Sequence, residues 1–101
     1  MSVDIARILN AAADLIEPDG AWTQGAAARN ADGKVSLENA TCWCLYGAIG
    51  NFAEESWDVV WEDFKRLSGI RAPIAWNDAP ERTQSEVVEA LRAAALANGA
   101  A

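Results

Sequence analysis

The apolar positions of the chain recur with helical period in four blocks. Ile5, Ile8, Leu9, Ala12, Leu15 and Ile16 form one stripe and predict a helix from about Val3 to Ile16. Ser2 is placed to cap its start, and Glu17-Pro18-Asp19-Gly20 cannot continue it. A second helix is predicted over about Thr41 to Ala53, capped by Asn39 or Thr41, with Cys42, Leu45, Tyr46, Ile49, Phe52 and Ala53 on one face. Gly47 and Gly50 share another face, and each glycine costs a helix about 1 kcal/mol. Another backbone approaching this bare face is the expected compensation. The third block, Trp57, Val60, Trp61, Phe64 and Leu67, predicts a helix over about Ser56 to Ser68 that stops at Gly69. The fourth opens on a capping box, Thr83-Gln84-Ser85-Glu86, and continues with Val87, Val88, Leu91, Ala94 and Ala95. Its alanine-rich end is expected to fray over about 97–101.

Two stretches lack this period. Residues 17–38 contain Asn30-Ala31-Asp32-Gly33, in which Asp-Gly is a tight-turn signal. Either a short hairpin pairs residues near Gln24 to Arg29 with Lys34 to Ser36, or the stretch is a loop with a helical turn. Alanines at 26–28 weaken the strand reading. Residues 70–82 read as a connection, since Pro73 and Pro80 forbid a continuous helix. The expected fold is mainly α, a compact bundle or orthogonal array of four helices. A small two-stranded hairpin fits between helices 1 and 2. Without repeat or linker, residues 1–101 read as a single helical domain.

Composition adds exclusions. Half of the residues are hydrophobic and five are Trp, enough large apolar surface to complete a small core. The N-terminus lacks a basic start and apolar run, and no stretch is apolar over a membrane's thickness, so a cytoplasmic location is expected. Cys42 and Cys44 are too few and too close for a disulfide framework, which suits a reducing compartment. A net charge of −7 with eight scattered basic residues argues against direct nucleic-acid binding and against adhesion to anionic membranes. A protein partner or self-association is the leading expectation for partners, with a small ligand second.

Catalytic and metal-binding groups are sparse. The chain has no His, which removes the usual general base and the commonest metal ligand. Thr41-Cys42-Trp43 at a helix start has the look of a papain-like nucleophile, but that mechanism fails without His. On a helix, Cys42 and Cys44 would face about 200° apart, with Cys42 in the core and Cys44 at a helix contact. No catalytic residue, metal site or cofactor is assigned. The acids Glu54, Glu55, Asp58, Glu62 and Asp63 crowd the third helix, where a solvated face explains them and a docking surface for a basic partner is the sharper alternative. Two polar-aromatic loops stand out, one with Trp22, Thr23 and Gln24 and one with Trp76, Asn77 and Asp78, Arg82 following. Such loops serve as ligand anchors or as plugs between helices that satisfy backbone groups.

Gly20-Ala21-Trp22-Thr23-Gln24-Gly25, Thr41-Cys42-Trp43-Cys44 with Gly47-Ala48-Ile49, and Trp76-Asn77-Asp78-Ala79-Pro80 with Arg82-Thr83 together resemble a family of small bacterial proteins of unknown function. The resemblance spans nearly the whole chain, implies a discrete small domain, and carries no activity. The expectation is a non-enzymatic binding or interaction module, with self-association open. Its candidate binding residues are Trp22, Thr23, Gln24, Cys42, Trp43, Trp76, Asn77, Asp78 and Arg82. The alternative is a small enzyme or small-molecule sensor that uses Cys42 with Asp78, Gln24 or Arg82 in a cleft.

Overall fold

A computed structural model describes residues 4–100. In chain order it contains α1 (Ile5–Ile16), β1 (Ala28–Asn30), β2 (Ala40–Trp43), α2 (Leu45–Ala53), a 3-10 turn (Glu54–Ser56), α3 (Trp57–Ser68), α4 (Pro73–Asp78) and α5 (Gln84–Ala100). The four long helices are those the apolar stripes predict, and α4 is one short addition. None is long and apolar enough, among the described residues, to cross a membrane.

One apolar cluster joins the helices. Leu9, Ala12, Ala13 and Ile16 of α1 meet Leu45, Ala48 and Ile49 of α2, Val60 and Phe64 of α3, and Val87, Leu91 and Ala94 of α5. Helices α1 and α5 pack along each other with small residues between them. Their ends are tied by polar groups. Gln84 Nε2 donates to the carbonyls of Ile16 at 2.6 Å and Pro18 at 2.7 Å, satisfying acceptors that the end of α1 leaves open. Arg92 pairs with Asp14 and Glu17 of that same end. All five tryptophans lie at the margin of this core, each half-buried.

Helix ends follow local chemistry. The expected capping box forms: Thr83 N donates to Glu86 Oε1 at 2.9 Å, and Glu86 N donates to Thr83 Oγ1 at 3.3 Å. Gly69 ends α3 in the left-handed conformation at φ 76°. At α1 the cap is Asp4, whose carboxylate accepts from Arg7 N at 3.1 Å, while Ser2 and Val3 lie outside the described residues. Helix α4 begins on Pro73, where a missing N–H costs nothing, and ends before Pro80, so the connection expected over 70–82 contains a short helix. Helix α5 continues to Ala100, across most of the stretch expected to fray.

The start of α2 requires a correction. Residues 40–43 are a strand, not helix, and α2 begins at Leu45 with Cys44 as its cap in place of Asn39 or Thr41. Strand β2 pairs antiparallel with β1, with Arg29 opposite Cys42. The turn at Asn30–Gly33 folds Lys34–Ser36 back against the other edge of β1, through Asn30 N to Lys34 O at 2.8 Å and Ser36 N to Ala28 O at 3.2 Å. Residues near Trp22 add to the far edge of β2, with Thr23 N donating to Trp43 O at 3.0 Å. The predicted hairpin is therefore present, but its longer partner is the Thr-Cys-Trp segment that sequence pattern assigned to a helix. Backbone pairing on both sides outweighs a helical period that ran one turn too far.

The glycine face of α2 receives the expected backbone. A Cβ on Gly47 would lie 1.9 Å from the carbonyl oxygen of Ala27, and that oxygen accepts from Cys44 N at 3.0 Å. Gly50 instead meets a side chain, with its virtual Cβ 3.3 Å from the Trp57 ring. Gly47→Ala is therefore expected to destabilise by about 3 kcal/mol, because a backbone segment must move. Gly50→Ala is expected to change stability by less than about 1 kcal/mol, since helix propensity gained offsets a ring displaced by tenths of an ångström. Chemical denaturation of both variants checks the contrast, and equal losses would contradict it.

Candidate functional site

Asn77 is the one fully buried polar side chain among the described residues. Its Oδ1 accepts from Trp22 Nε1 at 2.8 Å and from Leu45 N at 3.1 Å, while its Nδ2 donates to Thr23 O at 3.2 Å and Asp78 Oδ1 at 2.9 Å. One amide thus binds the loop after α1, the first turn of α2 and its own helix α4. Around it, Gln24 Nε2 donates to the carbonyls of Asn77 and Ala79, each at 2.8 Å, and Gly25 N donates to Asp78 Oδ1 at 3.0 Å. These carbonyls close α4, so Gln24 acts as its C-terminal cap from another segment. No buried side-chain nitrogen or oxygen among the described residues lacks a partner.

Trp76 sits on the other side of α4. Arg82 lies over its ring at 4.1 Å from the centroid, donates from Nε to its carbonyl at 2.9 Å, and pairs with Glu86 at 3.1 Å. The two predicted loops do meet in space, but their hydrogen-bonding groups are directed at each other. Of the candidate residues, Trp22, Thr23, Gln24, Asn77 and Asp78 form this latch, while Trp76 and Arg82 form a pair beside it.

The cysteines exchange the places expected for them. Cys42, half-buried on β2, points its thiol to Arg29 O at 3.8 Å. Cys44 is buried at the start of α2, where its sulfur accepts from Gly47 N at 3.4 Å. Cys44 and Asp78 share a small cavity of about 250 Å³ with Tyr46 and Ile74. Burial pushes the Cys44 thiol upward from its ordinary value, and the Asp78 carboxylate adds to this against the opposing amides of Gly47 and Tyr46. A thiolate is therefore disfavoured where a helix N-terminus would otherwise help it.

A cavity of about 490 Å³ lies elsewhere, between the sheet and the α2–α3 corner. Trp43, Tyr46 and Trp57 line it, with Gly47 and Gly50 leaving space between them. Leu37 and Glu54 also line it and are exposed. Tyr46 meets Trp57 edge-on, ring centroids 4.2 Å apart at 77°, and Trp57 stacks on Trp61 at 5.4 Å and 19°. Trp43 is the candidate residue shared between the two regions, lining this cavity while its backbone bonds to Ala21 and Thr23. Tyr46, Trp57 and Leu37 were missed as site residues because the first two fit a buried stripe. The available signal was the bare face of Gly47 and Gly50 beside Tyr46, one turn from Gly50. Of the acids on the α3 side, Glu62 and Asp63 pair with Lys65 and Arg66.

Residues 1–97 match a family of unknown function, DUF6197, and the chain belongs to that family. No curated protein and no solved structure matches the chain.

Three variants test this geometry. Asn77→Ala leaves the Trp22 indole and the Leu45 amide without their acceptor and is expected to cost about 3 kcal/mol by denaturant titration. Asn77→Asp keeps the acceptor but sets a carboxylate against Asp78. The new group's folded pKa is raised, so its deficit should shrink as pH falls, and a pH-independent deficit would contradict the latch. The Cys44 thiol is likewise raised on folding, so its contribution is intact below the ordinary thiol range and lost as pH rises through the folded value. Cys44→Ala should lack that alkaline loss, and in the native protein Cys44 should resist a thiol reagent until the chain unfolds.

Proposed function

We propose that the chain is a non-enzymatic binding module, working in a reducing compartment such as the cytoplasm, and that its ligand enters the groove lined by Trp43, Tyr46 and Trp57 rather than the Trp22–Asn77 latch. The observation that carries this is the distribution of unsatisfied surface. In the latch, the loop side chains that suggested a ligand anchor bond one another and α4. In the groove, three aromatic side chains border open space of about 490 Å³, within the usual size of ligand cavities. Leu37, 71% exposed, extends the apolar surface outward and gives a ligand more to cover.

The geometry gives less support to a thiol-dependent enzyme. Cys42 faces a backbone carbonyl, and the cysteine beside Asp78 is Cys44, whose buried thiol is held neutral. Gln24 and Arg82, the other groups such a site would use, are bonded to carbonyls of the α4 end.

A small fragment set of neutral, acidic and basic compounds, screened against the protein by two-dimensional NMR, tests the groove. Hits are expected to shift signals of Trp43, Tyr46 and Trp57 and to leave the Trp22 indole N–H in place. Leu37→Ser, on an exposed side chain, should weaken those hits about threefold with little change in stability. Hits that map instead to Trp22, Gln24 and Asn77, or no hit in the groove at all, would overturn this reading.

A further inference from the structure

Resting on that reading of the groove, we infer the chemical class of its ligand: a small organic cation, an alkylated ammonium of the choline type, enclosed by Trp43, Tyr46 and Trp57 with Glu54 as its counter-charge. The aromatic lining supplies the first reason. Ring quadrupoles attract a cation that is weakly hydrated, and an alkylammonium also gains apolar contact from its methyl groups. Tyr46 and Trp57 stand at 77° to each other and form a corner, and Trp57 is backed by its stack on Trp61. Rings held by packing need no reordering when a compact group docks against them.

Charge supplies the second reason. Glu54 is the one ionisable carboxylate lining the groove, and no Lys or Arg lines it. Four of the eight basic residues are paired with groups outside the groove: Arg82 with Trp76 and Glu86, Lys65 with Glu62, Arg66 with Asp63, and Arg92 with Asp14 and Glu17. The Arg82–Trp76 pair shows the same attraction satisfied within the chain, at 4.1 Å. The groove aromatics have no such internal partner among their lining residues. The chain's charge of −7 further favours the approach of a cation over that of an anion.

The third reason is where Glu54 sits. It is the one non-glycine residue with positive φ among the described residues, at φ 48° and ψ −118°. That region suits glycine and costs a residue with a Cβ. A carboxylate is thus placed at the groove by a backbone conformation that glycine would hold more easily.

Choline chloride, its uncharged carbon isostere 3,3-dimethylbutan-1-ol, and sodium chloride at matched ionic strength provide the test, followed by NMR of the tryptophan indole N–H signals. Choline should shift the Trp43 and Trp57 signals saturably, with the Trp22 signal as internal reference, and the isostere should bind at least about tenfold more weakly. Glu54→Gln should weaken choline about fivefold without loss of stability, and Glu54→Gly should raise Tm while weakening choline as much. Equal binding of choline and the isostere, shifts reproduced by sodium chloride, or an undiminished titration in Glu54→Gln would each overturn the inference. A trimethyllysine peptide binding more than about tenfold tighter than choline would overturn the small-molecule source and assign the groove to a protein tail. If choline fails while neutral or acidic fragments still shift Trp43 and Trp57, the cation class falls and the binding module stands. If nothing shifts them, both fall.

Discussion

The side-chain amide of Asn77 is the interaction on which the rest of the arrangement depends. Buried completely, it holds an acceptor against the first N–H of α2 and the Trp22 indole, and a donor against the Thr23 carbonyl. A helix start has several amides with no partner within the helix. Here they are supplied from three directions: Asn77 to Leu45, the Ala27 carbonyl to Cys44, and the Cys44 sulfur to Gly47. The amino end of α2 is therefore the point where the sheet, the loop after α1 and α4 meet. An apolar residue of equal volume at 77 would leave those donors dry and unpaired, which is why a polar group is tolerated at the edge of an otherwise apolar core.

The groove is a consequence of that junction. With the Ala27 carbonyl fixed over α2, only glycine fits at 47, and the sheet is carried close along one side of the helix. The next bare position on that side, Gly50, is reached by the Trp57 ring and not by the sheet. Beside these two contacts, Trp43, Tyr46 and Trp57 border the gap. A groove formed in this way has its walls set by the fold and needs no separate device to shape it.

The helical part of this fold was legible from apolar spacing because each long helix buries one stripe against the same core. The capping box at Thr83 and Glu86, the stop at Gly69 and the demand of Gly47 for a close backbone were legible too, each being a local rule with one physical cause. The start of α2 was not. Cys42 stands three residues before Leu45 and so fits the helical stripe, whereas pairing to Arg29 on one side and residues near Trp22 on the other is a non-local fact. The same limit applies to the site. Sequence identified Trp22, Gln24, Trp76 and Asn77 as unusual but could not say that their polar groups face each other. It also assigned Tyr46 and Trp57 to the buried side of their helices, where only part of each ring lies.

The tryptophans make the distinction between support and recognition physical. None is fully buried, and each has one side on the core and a remainder that something else must satisfy. For Trp22 that remainder is an indole N–H bonded to Asn77, and for Trp76 it is a ring covered by Arg82. Trp61 is stacked between Trp57 and Phe64. Trp43 and Trp57 differ in bordering open space beside a carboxylate, with no cation of the lining to cover them. Core filling accounts for a half-buried tryptophan whose outer side is occupied from within the chain. Trp43 and Trp57 keep a side toward the groove that no side chain of its lining covers, which is why the proposed recognition is placed there rather than in the loops.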